Sequence, residues 1–203
     1  MSAIGVYTFH RAIWLGVCGI SPAWAICVAY SGVGWPRPKC RISKCSGLRF
    51  FMDLSGNKGL LNRELVAFFA SRNSLPEARN LARKWAYEIS KTDKIVISGF
   101  HSPIEREVLE ILLMKGVSVV VALGRSLYKR IPQYLEDAYQ QGRVLFISFR
   151  DYSRPSLNNS QLRNWAAADL AVEVVLAPFP DQSQLSSLYF SFSRGKRVIK
   201  ILK

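Results

Sequence analysis

The chain has 203 residues, 49% of them hydrophobic and 12% aromatic, with 28 Lys+Arg against 14 Asp+Glu for a net charge of +14. That length is enough for one domain with a real core, and that composition excludes an intrinsically disordered chain. A cationic surplus of this size favours polyanionic partners, nucleic acid first and an anionic membrane second.

The first 51 residues differ from the rest. They carry Arg11, Arg37, Lys39, Arg41, Lys44 and Arg49 but no acid, and they hold all four cysteines (Cys18, Cys27, Cys40, Cys45). Ala12–Val33 is apolar yet interrupted by Pro22 and by glycines. Three readings compete: a signal peptide with Ala23-Trp24-Ala25 as its cleavage site, a poor membrane span, or a poorly structured extension ahead of a functional protein that starts at Met52. The abrupt change in composition beside Met52 favours the third. Residues 1–51 are therefore expected as an extension and 52–203 as the domain. Cys40-x4-Cys45 has no second Cys/His pair near it, so free thiols are expected rather than a metal site.

From Met52 to Asn62 the chain reads as a polar lead-in. Val66–Ala70 is the first predicted strand. Ser74-Leu75-Pro76-Glu77 has the form of a capping box, and Ala78, Leu81, Ala82, Trp85, Ala86 and Ile89 follow at helical spacing. Ile95–Ile97 is a short apolar run, as expected of a parallel strand covered on both faces. Ser98-Gly99 ends it. Ser102-Pro103-Ile104-Glu105 is a second capping box, opening a helix that Gly116 stops. Such an abrupt strand-to-helix turn predicts free backbone N–H groups in a crevice, an anion site.

Val117–Leu123 is the third strand. A short helix over Pro132–Gln141 follows, with Tyr134, Leu135, Ala138 and Tyr139 facing inward. Val144–Ser148 is the fourth strand, and Arg150–Asn159 a polar loop. Ser160–Leu170 reads as a helix with Leu162, Trp165, Ala166 and Leu170 as its apolar face. Val172–Ala177 is the fifth strand, Gln184–Ser193 a helix and Val198–Leu202 the sixth strand. Strands alternating with helices predict βαβ units with right-handed crossovers. The expected fold is α/β: a Rossmann-like, doubly wound, mostly parallel six-stranded sheet.

Ligands of such sheets bind outside the carboxyl ends of the strands. The segments there are Ser71-Arg72, Gly99-Phe100-His101-Ser102, Gly124-Arg125-Ser126, Phe149-Arg150 and Pro178-Phe179-Pro180. Three of these five loops carry arginine and three carry phenylalanine. Guanidinium forks suit phosphate and aromatic rings suit bases. Surface arginines are also common in any basic protein, so convergence on one edge is what gives the pattern weight. His101 is the one histidine after residue 51, which excludes a multi-histidine metal centre in the domain. Ser102 and Glu105 would serve as nucleophile and base, but the capping box already accounts for both. Neither a G-x-G-x-x-G fingerprint nor a P-loop is present.

Five segments in order, Phe68–Arg72 (FFASR), Val96–Glu105 (VISGFHSPIE), Val119–Leu127 (VVVALGRSL), Gly142–Ser148 (GRVLFIS) and Arg163–Ala177 (RNWAAADLAVEVVLA), resemble the Rossmann core of the DNA-processing protein A (DprA/Smf) family, within the SLOG-type nucleotide-binding superfamily. The resemblance implies a single-stranded DNA-binding protein that assists DNA processing and recombination during uptake and transformation. It implies a recombinase partner, dimerisation through the Rossmann domain, a cytoplasmic location, no membrane partner, no cofactor and no catalysis. Carried over by position, Arg72, Ser98, Gly99, His101, Ser102, Arg163 and Asn164 would line the nucleic-acid groove; the strand-end reading adds Arg125 and Arg150. One departure is Asp181-Gln182-Ser183-Gln184, which lacks the small Ser/Gly phosphate-gripping turn usual in the family after the fifth strand. The alternative is a SLOG-type small-nucleotide sensor or nucleotide hydrolase.

Overall fold

The computed structural model describes residues 40–43, 49–149, 157–193 and 198–203. In chain order the strands are β1 (Cys40–Ser43), β2 (Arg49–Gly56), β3 (Leu65–Phe69), β4 (Ile95–Ser98), β5 (Val119–Leu123), β6 (Val144–Ser148), β7 (Glu173–Leu176) and β8 (Val198–Ile201). The helices are α1 (Ala78–Ile89), α2 (Pro103–Met114), α3 (Gln133–Gln140), α4 (Leu157–Leu170) and α5 (Gln184–Ser193). A 3-10 turn over Lys58–Asn62 links β2 to β3.

One sheet has the order β1-β2-β6-β5-β4-β3-β7-β8. The six predicted strands are β3 to β8, and all five pairings among them are parallel. The chain runs outward from β3 to β6, then crosses back to place β7 and β8 on the far side of β3. That reversal is what makes the sheet doubly wound. Side chains alternate across each strand. Val66, Phe68 and Ala70 join the core beneath α1, α2 and α3, while Leu65, Ala67 and Phe69 join the one beneath α4 and α5. Every residue of β3 to β6 is therefore buried, which is why these strands read as unbroken apolar runs. Phe68 stacks on Trp85 of α1 at 4.6 Å between ring centroids.

Four features differ from the sequence reading. The sheet is larger than six strands: β2 pairs antiparallel with β6, Asp53 opposite Ser148 and Gly56 opposite Leu145, so the supposed lead-in is a strand that begins at Arg49, with β1 antiparallel on its outer side. Its polar Asp53 and Ser55 hid the pattern. The Ser74 capping box does not form; the Ser74 hydroxyl donates to the Ser71 carbonyl at 2.6 Å, and α1 starts after Glu77 without a side-chain cap. Tyr134 is 67% exposed, because α3 is short enough for Leu135 and Ala138 alone to seal it. On α4 the expected Trp165, Ala166 and Leu170 do pack against the core, but the deepest positions also include Arg163, Ala167 and Ala168, and the three alanines let the helix sit close on the sheet. Among the described residues, no helix is long and apolar enough to cross a membrane.

Candidate nucleic-acid interface

The carboxyl ends of β3, β4 and β5 meet at one edge. At its centre α2 begins as predicted. Ser102 is the N-cap, its Oγ accepting from the Glu105 amide at 3.2 Å, and the Glu105 carboxylate accepts in return from the Ser102 amide at 3.2 Å. Glu105 does more than close this box. Its Oε2 also accepts from the His101 amide at 2.7 Å, and its Oε1 accepts from the Ala70 amide at 3.0 Å. One buried carboxylate thus clamps the exit of β3 to the start of α2. Burial pushes its pKa up; Arg163 and the three backbone donors pull it back. The amides expected to greet an anion are already committed to the protein's own.

Ser98 and Gly99 form the turn before this cap. Ser98 is fully buried, and its hydroxyl accepts from the Phe100 amide at 3.3 Å. Phe100 follows at φ 51°, a left-handed conformation that costs a non-glycine residue about 1–2 kcal/mol. Burial of its ring offsets that cost. Gly99 makes room for a close approach: a Cβ there would overlap the guanidinium carbon of Arg163 unless that side chain moved.

Arg163 is therefore not a groove-lining side chain in the ordinary sense. It is 5% exposed, and its guanidinium lies against Gly99. Nε and one terminal nitrogen donate to the Asn164 side-chain oxygen at 3.1 and 2.9 Å. The other terminal nitrogen, Nη1, is buried and has no hydrogen-bond partner. Burial lowers the Arg163 pKa and the Glu105 charge raises it, so the two groups support each other's ionisation.

Around this buried pair stand exposed basic side chains. Arg72 follows β3, His101 precedes α2, and Arg106 lies one turn into α2; all three are exposed. Arg125, after β5, is exposed with its guanidinium 5.5 Å from the Tyr128 ring centre, and its carbonyl accepts from the Ser148 hydroxyl at 2.8 Å. Tyr128 packs edge-on against Phe146 and feels both Arg125 and Arg106. The structure thus joins Arg72, His101, Arg106, Arg125 and Tyr128 along one rim, over a floor of Ser98, Gly99, Ser102 and Arg163. Arg150 lies outside the described residues. Arg106 and Tyr128 were absent from the sequence reading. Arg106 falls one helical turn past a recognised N-cap, and that position was the available signal.

His101 is the rim's sensor of charge. Partial burial, then the nearby Arg163, Arg106 and Arg72, lower its pKa from 6.5 to about 4, so it is neutral at pH 7. An unfolded chain regains the ordinary value and takes up a proton that the native state refuses. This contribution to stability is present above pH 6.5 and is lost as pH falls toward 4. The thermal midpoint of His101→Gln should accordingly fall less between pH 6.5 and 4.5 than that of the native chain. Identical pH profiles would contradict this placement of the ring.

On the other side of β3, where the winding reverses, the loop after β7 forms an apolar cleft of about 390 Å³. Leu75, Pro178, Phe179, Tyr189, Phe190 and Ile201 line it, together with Asp181. Phe179 thus belongs to a separate depression from the cationic rim. Among the described residues, no group of three or more His, Cys, Asp or Glu side chains is arranged to hold a metal.

The sequence profile of the family described as DNA recombination-mediator protein A matches residues 31–199. No curated protein matches the sequence. Among solved structures, DNA processing protein A from Streptococcus pneumoniae superposes with a TM-score of 0.61 at 19% identity, covering 74% of this chain and 54% of its own. The chain therefore spans about half the length of that relative. DNA processing protein A from Helicobacter pylori, whose structure addresses its single-stranded DNA binding mode, gives 0.61 at 18% identity, covering 74% of this chain and 71% of its own. At these identities the superpositions establish a shared fold.

Proposed function

Because the chain belongs to the DNA recombination-mediator protein A family, we propose that its cationic rim grips single-stranded DNA. The supporting observation is the alignment of Arg72, Arg106 and Arg125 with His101 and the Tyr128 ring along one edge of the sheet. Guanidinium groups would take successive phosphates without reading bases, and Tyr128 would offer a stacking face. Single strands suit such a rim because their bases can turn toward it. The Helicobacter pylori relative is described by this same ligand class.

The reading is of a binding protein without bond-making chemistry. Glu105, the one buried carboxylate at the site, has its oxygens occupied by three backbone donors and is poorly placed to accept a substrate proton. A pocket for a small nucleotide has less support, since the helix amides that would hold its phosphate are taken. Bound DNA would be passed to a recombinase in the cytoplasm. The β8 edge, where Val198, Ile201 and the neighbouring Phe190 are exposed, would receive a second copy of the chain. A monomeric mass by light scattering at micromolar concentration would remove the second copy.

Substituting the rim tests the proposal. Arg72→Ala and Arg125→Ala each remove an exposed cation and should leave the fold intact. Each should weaken single-stranded DNA binding and reduce the slope of log K against log salt by about 0.7. Unchanged affinity and slope in both variants would place the DNA elsewhere.

A further inference from the structure

We infer that Glu105 is a specificity-determining residue: its carboxylate sits in an amide cradle built for a phosphate, and by filling that cradle it keeps free nucleotides out.

The argument starts from the donors. Three backbone N–H groups from two separate loops, those of Ala70, His101 and Ser102, converge on the two oxygens of one carboxylate. Two of them belong to the start of α2, where the helix dipole favours negative charge. Arg163 lies against Gly99 in the turn before the same helix cap, and it keeps one buried nitrogen without a partner. Neutral capping needs only the Ser102 hydroxyl and one returning oxygen. The Ala70 contact is not part of that motif. It spans 35 residues in sequence and closes the cradle from the β3 side. The set of convergent amides, helix terminus and guanidinium is that of a phosphate site, and the occupant is Glu105, the third residue of α2 itself. A mononucleotide has one phosphate group to offer and finds its seat taken. A polynucleotide has many, and needs only the exposed cations of the rim.

The inference gives the DNA-binding reading its selectivity for polymer over monomer, and it rests on that reading only for this biological sense. Failure of the native chain to bind single-stranded DNA would overturn the reading and leave the cradle test unaffected. The test titrates inorganic phosphate against chloride at matched ionic strength, with thermal denaturation of the full chain as readout. The native chain should show no phosphate-specific shift. Glu105→Ala empties the cradle and should gain a saturable stabilisation, a rise of about 4 °C at ten times its Kd. Glu105→Gln keeps the volume without the charge and should gain none. If Glu105→Ala is unfolded in chloride, the same titration is followed by circular dichroism, and recovery of helical signal in phosphate is the expected result. Three outcomes would each overturn the inference. The native chain shows the same saturable shift; Glu105→Ala, folded or not, gains nothing from phosphate; or Glu105→Gln gains as much as Glu105→Ala, which would make the effect one of charge alone.

Discussion

Arg163→Ala should cost about 3–5 kcal/mol of stability, measured by urea unfolding. The side chain is buried against Gly99, is held through Asn164, and balances the fully buried charge of Glu105. Removing it takes away the guanidinium charge that acts on buried Glu105 and opens a void over the Ser98-Gly99 turn. Lysine should not rescue it, since an ammonium on a flexible stem cannot reproduce the planar fork on the Asn164 oxygen. Arg72→Ala, by contrast, should change stability by less than about 0.5 kcal/mol, as for other exposed sites. The pair separates two roles that one residue type plays at this edge. On the proposed reading, Arg163 holds the floor in shape and Arg72 would meet the DNA. A stability loss under 1 kcal/mol for Arg163→Ala would mean that the guanidinium is readily displaced and belongs with the rim.

Gly56→Ala should cost about 3 kcal/mol, a fall in the thermal midpoint of roughly 6–12 °C for a chain of this size. Gly56 ends β2 at φ 106°, a conformation that L-residues rarely adopt, and a Cβ there would overlap the Val144 carbonyl oxygen. Neither problem can be relieved by turning a side chain. That same carbonyl accepts from the Asn57 amide at 3.1 Å, and the Asn57 side chain donates to the Gly142 carbonyl at 2.7 Å, so relaxation would also loosen the junction with β6. Hydrogen exchange should quicken along Arg49–Gly56 before the rest of the sheet. A neutral substitution would show that β2 contributes little to the domain in solution.

How much of this was legible in the sequence follows from range. Strands β3 to β6 were, because burial on both faces writes an uninterrupted apolar run into each one. The α2 cap was, because Ser102, Pro103 and Glu105 carry all its signals within four residues. The matching pattern at Ser74–Glu77 misled because the Ser74 hydroxyl finds the Ser71 carbonyl first, a competition that local spacing cannot resolve. The second role of Glu105 was hidden since Ala70 reaches it only through the sheet. Arg163 was expected to line the groove, and its burial was not legible because arginine inside a helix ordinarily faces water; only the three small alanines that follow it hint at how close α4 lies to the strands. Strand β2 was missed because Arg49, Asp53 and Ser55 break up its apolar residues, leaving no uninterrupted run.

Fluorescence anisotropy with labelled single-stranded and double-stranded oligonucleotides of equal length, across a salt series, tests the central claim most directly. The account predicts tighter binding of the single strand and affinity falling steeply with salt, at about −0.7 in log–log slope for every phosphate engaged. Equal, weak binding of both forms with little salt dependence would contradict it.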